Sequence, residues 1–381
     1  MVSIAFTGGG TGGHIYPGLA IVSQLKKRIP CRVFWIGSAS GMDRNIVEGA
    51  GLEFFSIPSG KLRRYFSLRN VTDVFKTGAG LIAARKILKK ERPALLFSKG
   101  GFVSVPPCAA AASLKIPVFT HESDYSPGLA TRLNSRFAEK LFIPYGKSAN
   151  FFPEPVKRKL LVSGNPVRPE FAAADPSKGR AFLGLGPDDR ILLVLGGSLG
   201  SREINELVAE CLPELTKYYT VVHQCGDNNI GGVSGQSGRY KPYAYFREEI
   251  PHVIAAAELV ICRSGANTIW ECKSLLKPMV LVPLRGSGTR GDQVENARLF
   301  EEAGAGICFP PESKDLGISD KISDLKIIVG KLPAAELSRL VNSLAEDPEK
   351  RRVMGEAKIT AEYDAAELIA DEIVHRIKEG T

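Results

Sequence analysis

Short apolar runs alternate with helix-spaced segments from one end of this chain to the other, and this order restricts the fold more than any other feature. Strands buried on both faces and separated by helical crossovers specify a parallel sheet flanked by helices. In the first half the runs fall at residues 3–7, 33–36, 94–97, 117–120 and 140–143. The pattern restarts at 191–195 and continues at 220–223, 259–262, 279–282 and 306–309. A length of 381 residues fits two such domains. Gly and Pro punctuate Val162-Ser163-Gly164-Asn165-Pro166-Val167-Arg168, so the expected domains are residues 1–163 and 164–360. Residues 351–378 read as one helix with an apolar face.

The hydrophobic fraction is 44%, enough for buried cores. No apolar run reaches the length of a membrane span, and no basic-then-apolar leader precedes the first strand, so a cytoplasmic protein is expected. The seven cysteines form no C-x-x-C pair, and the five histidines form no H-E-x-x-H pattern. Reduced thiols are expected, with neither a disulfide framework nor a metal site. A net charge of +9 favours anionic partners. Nucleic acid is disfavoured, because the aromatic residues do not interleave with basic clusters as a stacking platform.

The first strand runs into Gly8-Gly9-Gly10-Thr11-Gly12-Gly13-His14, and a helical segment follows. Glycines between a strand and a helix bare the main-chain amides, and the helix start adds positive potential, which suits a phosphate. His14 adds a titratable imidazole at that turn. Gly8, Gly10 and Gly13 satisfy G-x-G-x-x-G, but the second strand ends Trp35-Ile36-Gly37-Ser38 without the acid that holds a dinucleotide ribose. Gly146-Lys147-Ser148 lacks the earlier glycine of a P-loop. Gly100 and Gly101 form another strand exit, expected beside the first. In the second half, Gly196-Gly197-Ser198 repeats the strand-to-glycine turn, and Ser198 suits either an anion or a helix cap. Arg263-Ser264-Gly265-Ala266-Asn267-Thr268 opens a helix on which Glu271 could take a ribose diol or serve the helix dipole. Asp292, Gln293 and Asn296 offer polar groups suited to sugar hydroxyls. Basic residues (Lys61, Arg63, Arg64, Arg85, Lys86, Lys89, Lys90, Arg92) interleave with apolar ones over residues 61–66 and 74–92. Such a segment can lie on an anionic bilayer or simply pack its stripe on the domain.

These motifs, with Pro17, His121-Glu122 and Gly164-Asn165-Pro166-Val167-Arg168, occur in the order found in one family. The chain resembles, over nearly its full length, the MurG family of bacterial transferases that add N-acetylglucosamine to lipid I. The resemblance implies an α/β GT-B glycosyltransferase fold: two Rossmann-like doubly wound domains facing across a cleft, with residues 361–381 packing back on the first. It implies UDP-N-acetylglucosamine as donor and undecaprenyl-diphosphate-N-acetylmuramyl-pentapeptide as acceptor. The product would be lipid II, with inversion and no cofactor or bound metal. It also implies peripheral association with the inner face of the cell membrane, alongside other cell-wall synthesis proteins.

Position by position, the resemblance brings Thr11, Gly12 and Gly13 to the donor's sugar and diphosphate. It sets Arg168 and Ser198 on the diphosphate, Ala266, Asn267, Thr268 and Glu271 at the uridine end, and Gln293 and Asn296 at the transferred sugar. Gly10, Gly100 and Gly101 would serve the acceptor. Where the family reads His-Glu-Gln-Asn, this chain has His121-Glu122-Ser123-Asp124; the resemblance sets Asp124 on the sugar of UDP-N-acetylglucosamine, although an ionised Asp124 accepts but cannot donate hydrogen bonds. Near the uracil the chain has Arg247, Glu248 and Glu249, with Phe246 as the candidate packing group. His14 is the expected base for the acceptor hydroxyl. Competing expectations are another GT-B enzyme (a diacylglycerol glycosyltransferase or a UDP-N-acetylglucosamine 2-epimerase) and a non-catalytic nucleotide-sugar-binding scaffold at the membrane.

Overall fold

The computed structural model of the chain describes residues 1–10, 12–39, 42–60, 68–197, 200–227, 238–286, 289–311, 332–360 and 364–380. Thr11, Ser198 and residues 61–66 of the basic segment lie outside the described residues. The chain divides into two compact units: Met1–Pro169 with Thr360–Thr381, and Glu170–Ile359.

The strands of the first unit are β1 (Val2–Thr7), β2 (Cys31–Ser38), β3 (Glu53–Ile57), β4 (Leu95–Ser98), β5 (Val118–His121), β6 (Lys140–Ile143) and β7 (Leu160–Val162). They form one parallel sheet in the order β3-β2-β1-β4-β5-β6-β7. The helices α1 (Tyr16–Arg28), α2 (Asp43–Gly49), α3 (Leu68–Glu91), α4 (Val105–Ser113), α5 (Leu129–Asn134) and α6 (Glu154–Lys157) supply crossovers. Phe6, Trp35, Phe97, Phe119 and Phe142 fill the core on one face of the sheet. Order reverses between β1 and β4, which sets the loops leaving those strands side by side at the sheet's carboxyl edge, where doubly wound sheets bind ligands.

The second unit repeats the plan. Its helices are α7 (Pro176–Leu183), α8 (Arg202–Leu215), α9 (Ile250–Ala256), α10 (Ala266–Ser274), α11 (Asp292–Glu302), α12 (Ala334–Glu346) and α13 (Pro348–Glu356). Its strands are β8 (Ile191–Leu195), β9 (Thr220–Gln224), β10 (Tyr240–Tyr243), β11 (Leu259–Cys262), β12 (Met279–Leu281) and β13 (Ile307–Cys308). The parallel order is β10-β9-β8-β11-β12-β13, with the reversal between β8 and β11. Every residue of β8 is buried, as a strand covered on both faces requires. Helix α8 starts at Ser201, whose Oγ accepts from Ile204 N at 3.3 Å, and buries Ile204, Leu207, Val208, Cys211, Leu212 and Leu215 at helical spacing.

The single helix expected over 351–378 is instead two. Helix α13 ends at Glu356, where Ala357 turns extended, and α14 (Ala365–Glu379) starts afresh on Asp364, whose carboxylate accepts from Ala366 N and Glu367 N. The first belongs to the second unit and the other to the first unit. Helix α14 buries Ala366, Ile369, Ala370, Ile373, Val374 and Ile377 in the core that contains β1 and α1. Ion pairs Arg28–Asp371 and Arg376–Glu139 border that contact. Among the described residues, no helix is long and apolar enough to cross a membrane.

Candidate functional site

In the first unit, the loops after β1 and β4 meet at the reversal point. Trp35 Nε1 donates to Gly8 O at 2.9 Å, and the fully buried Asp43 at the start of α2 accepts from Gly10 N at 3.0 Å and Ser38 N at 3.2 Å. A Cβ on Gly9 would stand 2.0 Å from Asp43 Oδ2, so only glycine fits there. The amide of Gly10 is therefore already committed to a carboxylate. His14 closes the short 3-10 turn Gly12–His14 that leads into α1.

The second loop is tied from beneath. The Asn134 amide, fully buried on α5, donates to Ser98 Oγ at 3.1 Å and Ser104 Oγ at 2.8 Å. Ser98 Oγ also accepts from Gly100 N at 3.2 Å, and Ser104 Oγ donates to Gly101 O at 2.8 Å. Gly100 and Gly101 hold φ of +84° and +77°. A Cβ on Gly101 would lie 2.6 Å from Gly9 O and 3.0 Å from His14 Cδ2. The two glycine loops and the imidazole thus form one packed unit.

Polar groups at the exit of β5 border it. His121 Nε2 donates to Gly164 O at 3.0 Å, and burial, helped by Lys99, holds this imidazole well below its usual pKa. Glu122 accepts from the amides of Ser123, Asp124 and Gly128 at 2.8, 3.1 and 3.0 Å, which sets the turn that carries Asp124. Lys99, 1% exposed, donates from Nζ to Ser123 Oγ. The Arg168 guanidinium stacks 5.2 Å over the Tyr16 ring, and Tyr16 in turn faces Gly12.

The second unit gathers the loops after β8, β11 and β12. Arg263 joins all three: Nη2 donates to Ser201 Oγ at 2.6 Å and Glu203 Oε2 at 2.7 Å, and Nη1 to Val282 O at 3.1 Å and Pro283 O at 3.3 Å. Gln224 bridges Gly197 O, by Nε2 at 3.1 Å, and Phe246 N, by Oε1 at 3.0 Å. The Phe246 ring is buried 4.8 Å from that of Tyr243, so it forms part of a wall. Gly265 caps α10, whose first turn holds Ala266, Asn267 and Thr268, with Glu271 one turn on and half-buried. Ser264 Oγ donates to Gln293 O at 2.7 Å, and Gln293 Oε1 accepts from Leu284 N at 2.9 Å. Asn296 is fully buried and donates to Ser264 O at 3.2 Å. It lies beneath the Ser264 turn, rather than at the surface where a sugar would touch it.

Thus His14, Gly10, Gly12, Gly13, Gly100 and Gly101 share one edge of the first sheet, near Asp124 and Arg168. Ala266, Asn267, Thr268, Glu271 and Gln293 share the corresponding edge of the second. Sequence reasoning passed over Asp43, Lys99, Asn134 and Gln224. Lys99 sits in a glycine-marked strand exit, but Asp43 and Asn134 reach their loops from 33 and 36 residues away, which no local pattern signals.

Two family models match the chain: the glycosyltransferase family 28 N-terminal domain over residues 4–143 and the glycosyltransferase family 28 C-terminal domain over residues 191–326. A relative in Treponema denticola is 46% identical over 352 residues, covering 85% of this chain and 90% of its own length. One in Bacillus cereus is 42% identical over 304 residues, covering 80% of this chain and 85% of itself. Both are named UDP-N-acetylglucosamine–N-acetylmuramyl-(pentapeptide) pyrophosphoryl-undecaprenol N-acetylglucosamine transferase, the second with the suffix 2. The fold is similar to the crystal structure of Acinetobacter baumannii MurG, with a TM-score of 0.70 and 21% identity over the whole of both chains.

Proposed function

The chain belongs to the family 28 glycosyltransferases that carry the MurG name, and from that premise we propose how its own residues perform the transfer. It is an enzyme of the GT-B class that moves N-acetylglucosamine from UDP-N-acetylglucosamine to the N-acetylmuramyl sugar of a pyrophosphoryl-undecaprenol acceptor. The acceptor's 4-hydroxyl attacks the anomeric carbon from the face opposite the leaving UDP, so the configuration inverts. A proton must leave that hydroxyl, and negative charge grows on the departing diphosphate.

His14 takes the proton. The observation that carries this role is the packing of its ring against the positive-φ pair Gly100 and Gly101 at the reversal point of the first sheet. The loop beneath the ring is tied by Asn134, Ser98 and Ser104, which gives a base a defined aim. On the second unit, the amides opening α10 and the Glu271 carboxylate take the uridine end. Gln293, with Oε1 committed to Leu284, reads a sugar hydroxyl through Nε2. Arg168 and the Gly12–Gly13 turn stabilise the leaving diphosphate. Asn296 serves from below by fixing Ser264.

The test incubates the protein with UDP-N-acetylglucosamine and a soluble lipid I analogue, and measures the disaccharide and released UDP. Transfer to diacylglycerol instead, or UDP binding without transfer, would replace this reading with one of its competitors. His14→Ala should lower turnover about 10²- to 10⁴-fold, the usual contribution of a general base. Turnover near wild type in a folded variant removes His14 from the role.

The first unit is further proposed to sit on an anionic membrane surface through α3. Val74, Phe75, Leu81 and Ile82 are exposed on that helix, and the exposed Arg85, Lys86, Lys89 and Lys90 follow toward its end. Apolar side chains facing water beside a basic stretch suit an acidic bilayer. Flotation with acidic vesicles should exceed that with neutral ones, and equal flotation would remove the electrostatic part.

A further inference from the structure

Lys99 is the only lysine or arginine among the described residues that is fully buried, with 1% exposure. Its backbone N–H donates to Thr7 O at 2.8 Å, and its Cβ lies 3.1 Å from where a Cβ on Gly8 would be. The side chain therefore runs between the first glycine loop and the segment after β5, where Nζ donates to Ser123 Oγ. That segment carries Glu122 and Asp124, and both carboxylates act on the ammonium. Glu122 is already occupied by three backbone amides. A cation sealed from water costs folding free energy, so its retention calls for a use.

We propose that Lys99 is a positioning residue for the acceptor: its ammonium anchors Ser123 and offsets the paired negative charge of Glu122 and Asp124, so that the segment after β5 admits a substrate bearing an anionic diphosphate. Without this cation the segment would present two carboxylates beside that anion. The inference rests on the transferase reading, because it assumes that the acceptor is handled by the first unit.

Charge state supplies the test. Burial pulls Lys99 down to about 8, against the upward pull of Glu122 and Asp124. The other titratable group facing it, His121, is kept neutral by burial and by Lys99 itself. Acceptor use should therefore decline as pH rises through about 8, and more steeply than donor use. The bound anion favours the charged ammonium, so saturating acceptor should move the decline upward.

The experiment measures transfer to a soluble lipid I analogue for wild type, Lys99→Met and Lys99→Arg, varying each substrate from pH 6 to about 10. Lys99→Met should raise the acceptor KM about tenfold or more, the effect of leaving two carboxylates uncompensated beside an anion. Its donor KM should change less than its acceptor KM. Lys99→Arg should keep acceptor use and lose the decline near pH 8. An unchanged acceptor KM in Lys99→Met overturns the proposal. So does a decline that persists in Lys99→Arg, and this second variant decides the matter if Lys99→Met fails to fold. A wild type that makes no disaccharide overturns the transferase reading and this inference together, whereas an active wild type with an indifferent Lys99→Met overturns this inference alone.

Discussion

Replacing Gly101 by alanine tests the packed unit on which the proposed base depends. Gly101 sits at φ +77° and ψ 155°, a region essentially closed to residues with a side chain. Forcing alanine there costs about 1–3 kcal/mol. The new methyl also meets Gly9 O at 2.6 Å and His14 Cδ2 at 3.0 Å. Little can yield on the loop side, because Gly10 N is held by Asp43 and the Ser98 to Ser104 stretch is held by Asn134. The imidazole is the movable partner, and a displacement of about 1 Å costs roughly 10²-fold in rate. We expect kcat to fall about a hundredfold in the UDP-release assay. The first unit should melt roughly 2–12 °C lower, from the same strain energy in a domain of this size. Gly184→Ala is the control: φ is +62° there, but nothing lies within 4 Å, so it should lose about 1–2 kcal/mol and no activity. A Gly101→Ala enzyme within about threefold of wild type, with a normal control, would refute the reasoning that the loop aims His14.

Other variants probe the remaining supports. Asp43→Ala leaves Gly10 N and Ser38 N without their acceptor and should destabilise the first unit by about 2–5 kcal/mol in urea titration; a loss below about 1 kcal/mol would mean that water replaces the carboxylate at no cost. Arg263→Ala removes the link among three loops of the second unit, and calorimetry with UDP should show Kd about tenfold weaker; an unaltered Kd would show that the loops hold without it. Burial pushes Glu258 upward, but the hydrogen bond from Arg190 and the charges of Arg351 and Arg190 outweigh it and leave it below its ordinary value. Such a carboxyl stabilises the fold above its unfolded pKa, and the contribution is lost as pH falls below about 4. Glu258→Gln should therefore flatten the acid limb of the second unit's stability curve, and a parallel limb would sink that attribution.

The interior of each sheet was legible in the sequence; of the edge strands, only β13 was, through the apolar run at 306–309. Each strand flanked by two neighbours corresponds to an apolar run, since a strand covered on both faces needs continuous hydrophobic side chains. The strands that the sequence reading missed, β3, β7 and β10, are all at sheet edges, and β7 is an apolar run of only three residues. Glu53 and Ser56 interrupt β3, and Pro242 interrupts β10, which an edge tolerates because one side of the ladder is unpaired. Glycine at strand exits marked the loops at the reversal points, since close approach leaves a compositional trace. Burial of polar groups leaves none. Asn296 and Gln293 read alike as sugar ligands, yet one is sealed under Ser264 and the other tied to Leu284. Lys99 reads as an ordinary surface lysine until the two glycine loops close over it.

The glycines at these strand exits serve different ends, and Gly265 can show it. In the first unit, the glycines at 9 and 101 are required by protein atoms that crowd them, so their bareness is consumed by packing. Gly265 differs: φ is −66° and ψ 134°, ordinary for any residue, and among the described residues nothing lies within 4 Å of a Cβ placed there. Folding does not call for glycine at this position. If the amides at the start of α10 receive the nucleotide, a methyl would intrude on the ligand and not on the protein. Gly265→Ala should then melt within about 1 °C of wild type while binding UDP at least tenfold more weakly. Weaker binding together with a collapsed melting point would make the glycine a folding requirement after all. Normal binding would move the nucleotide away from the turn that opens α10.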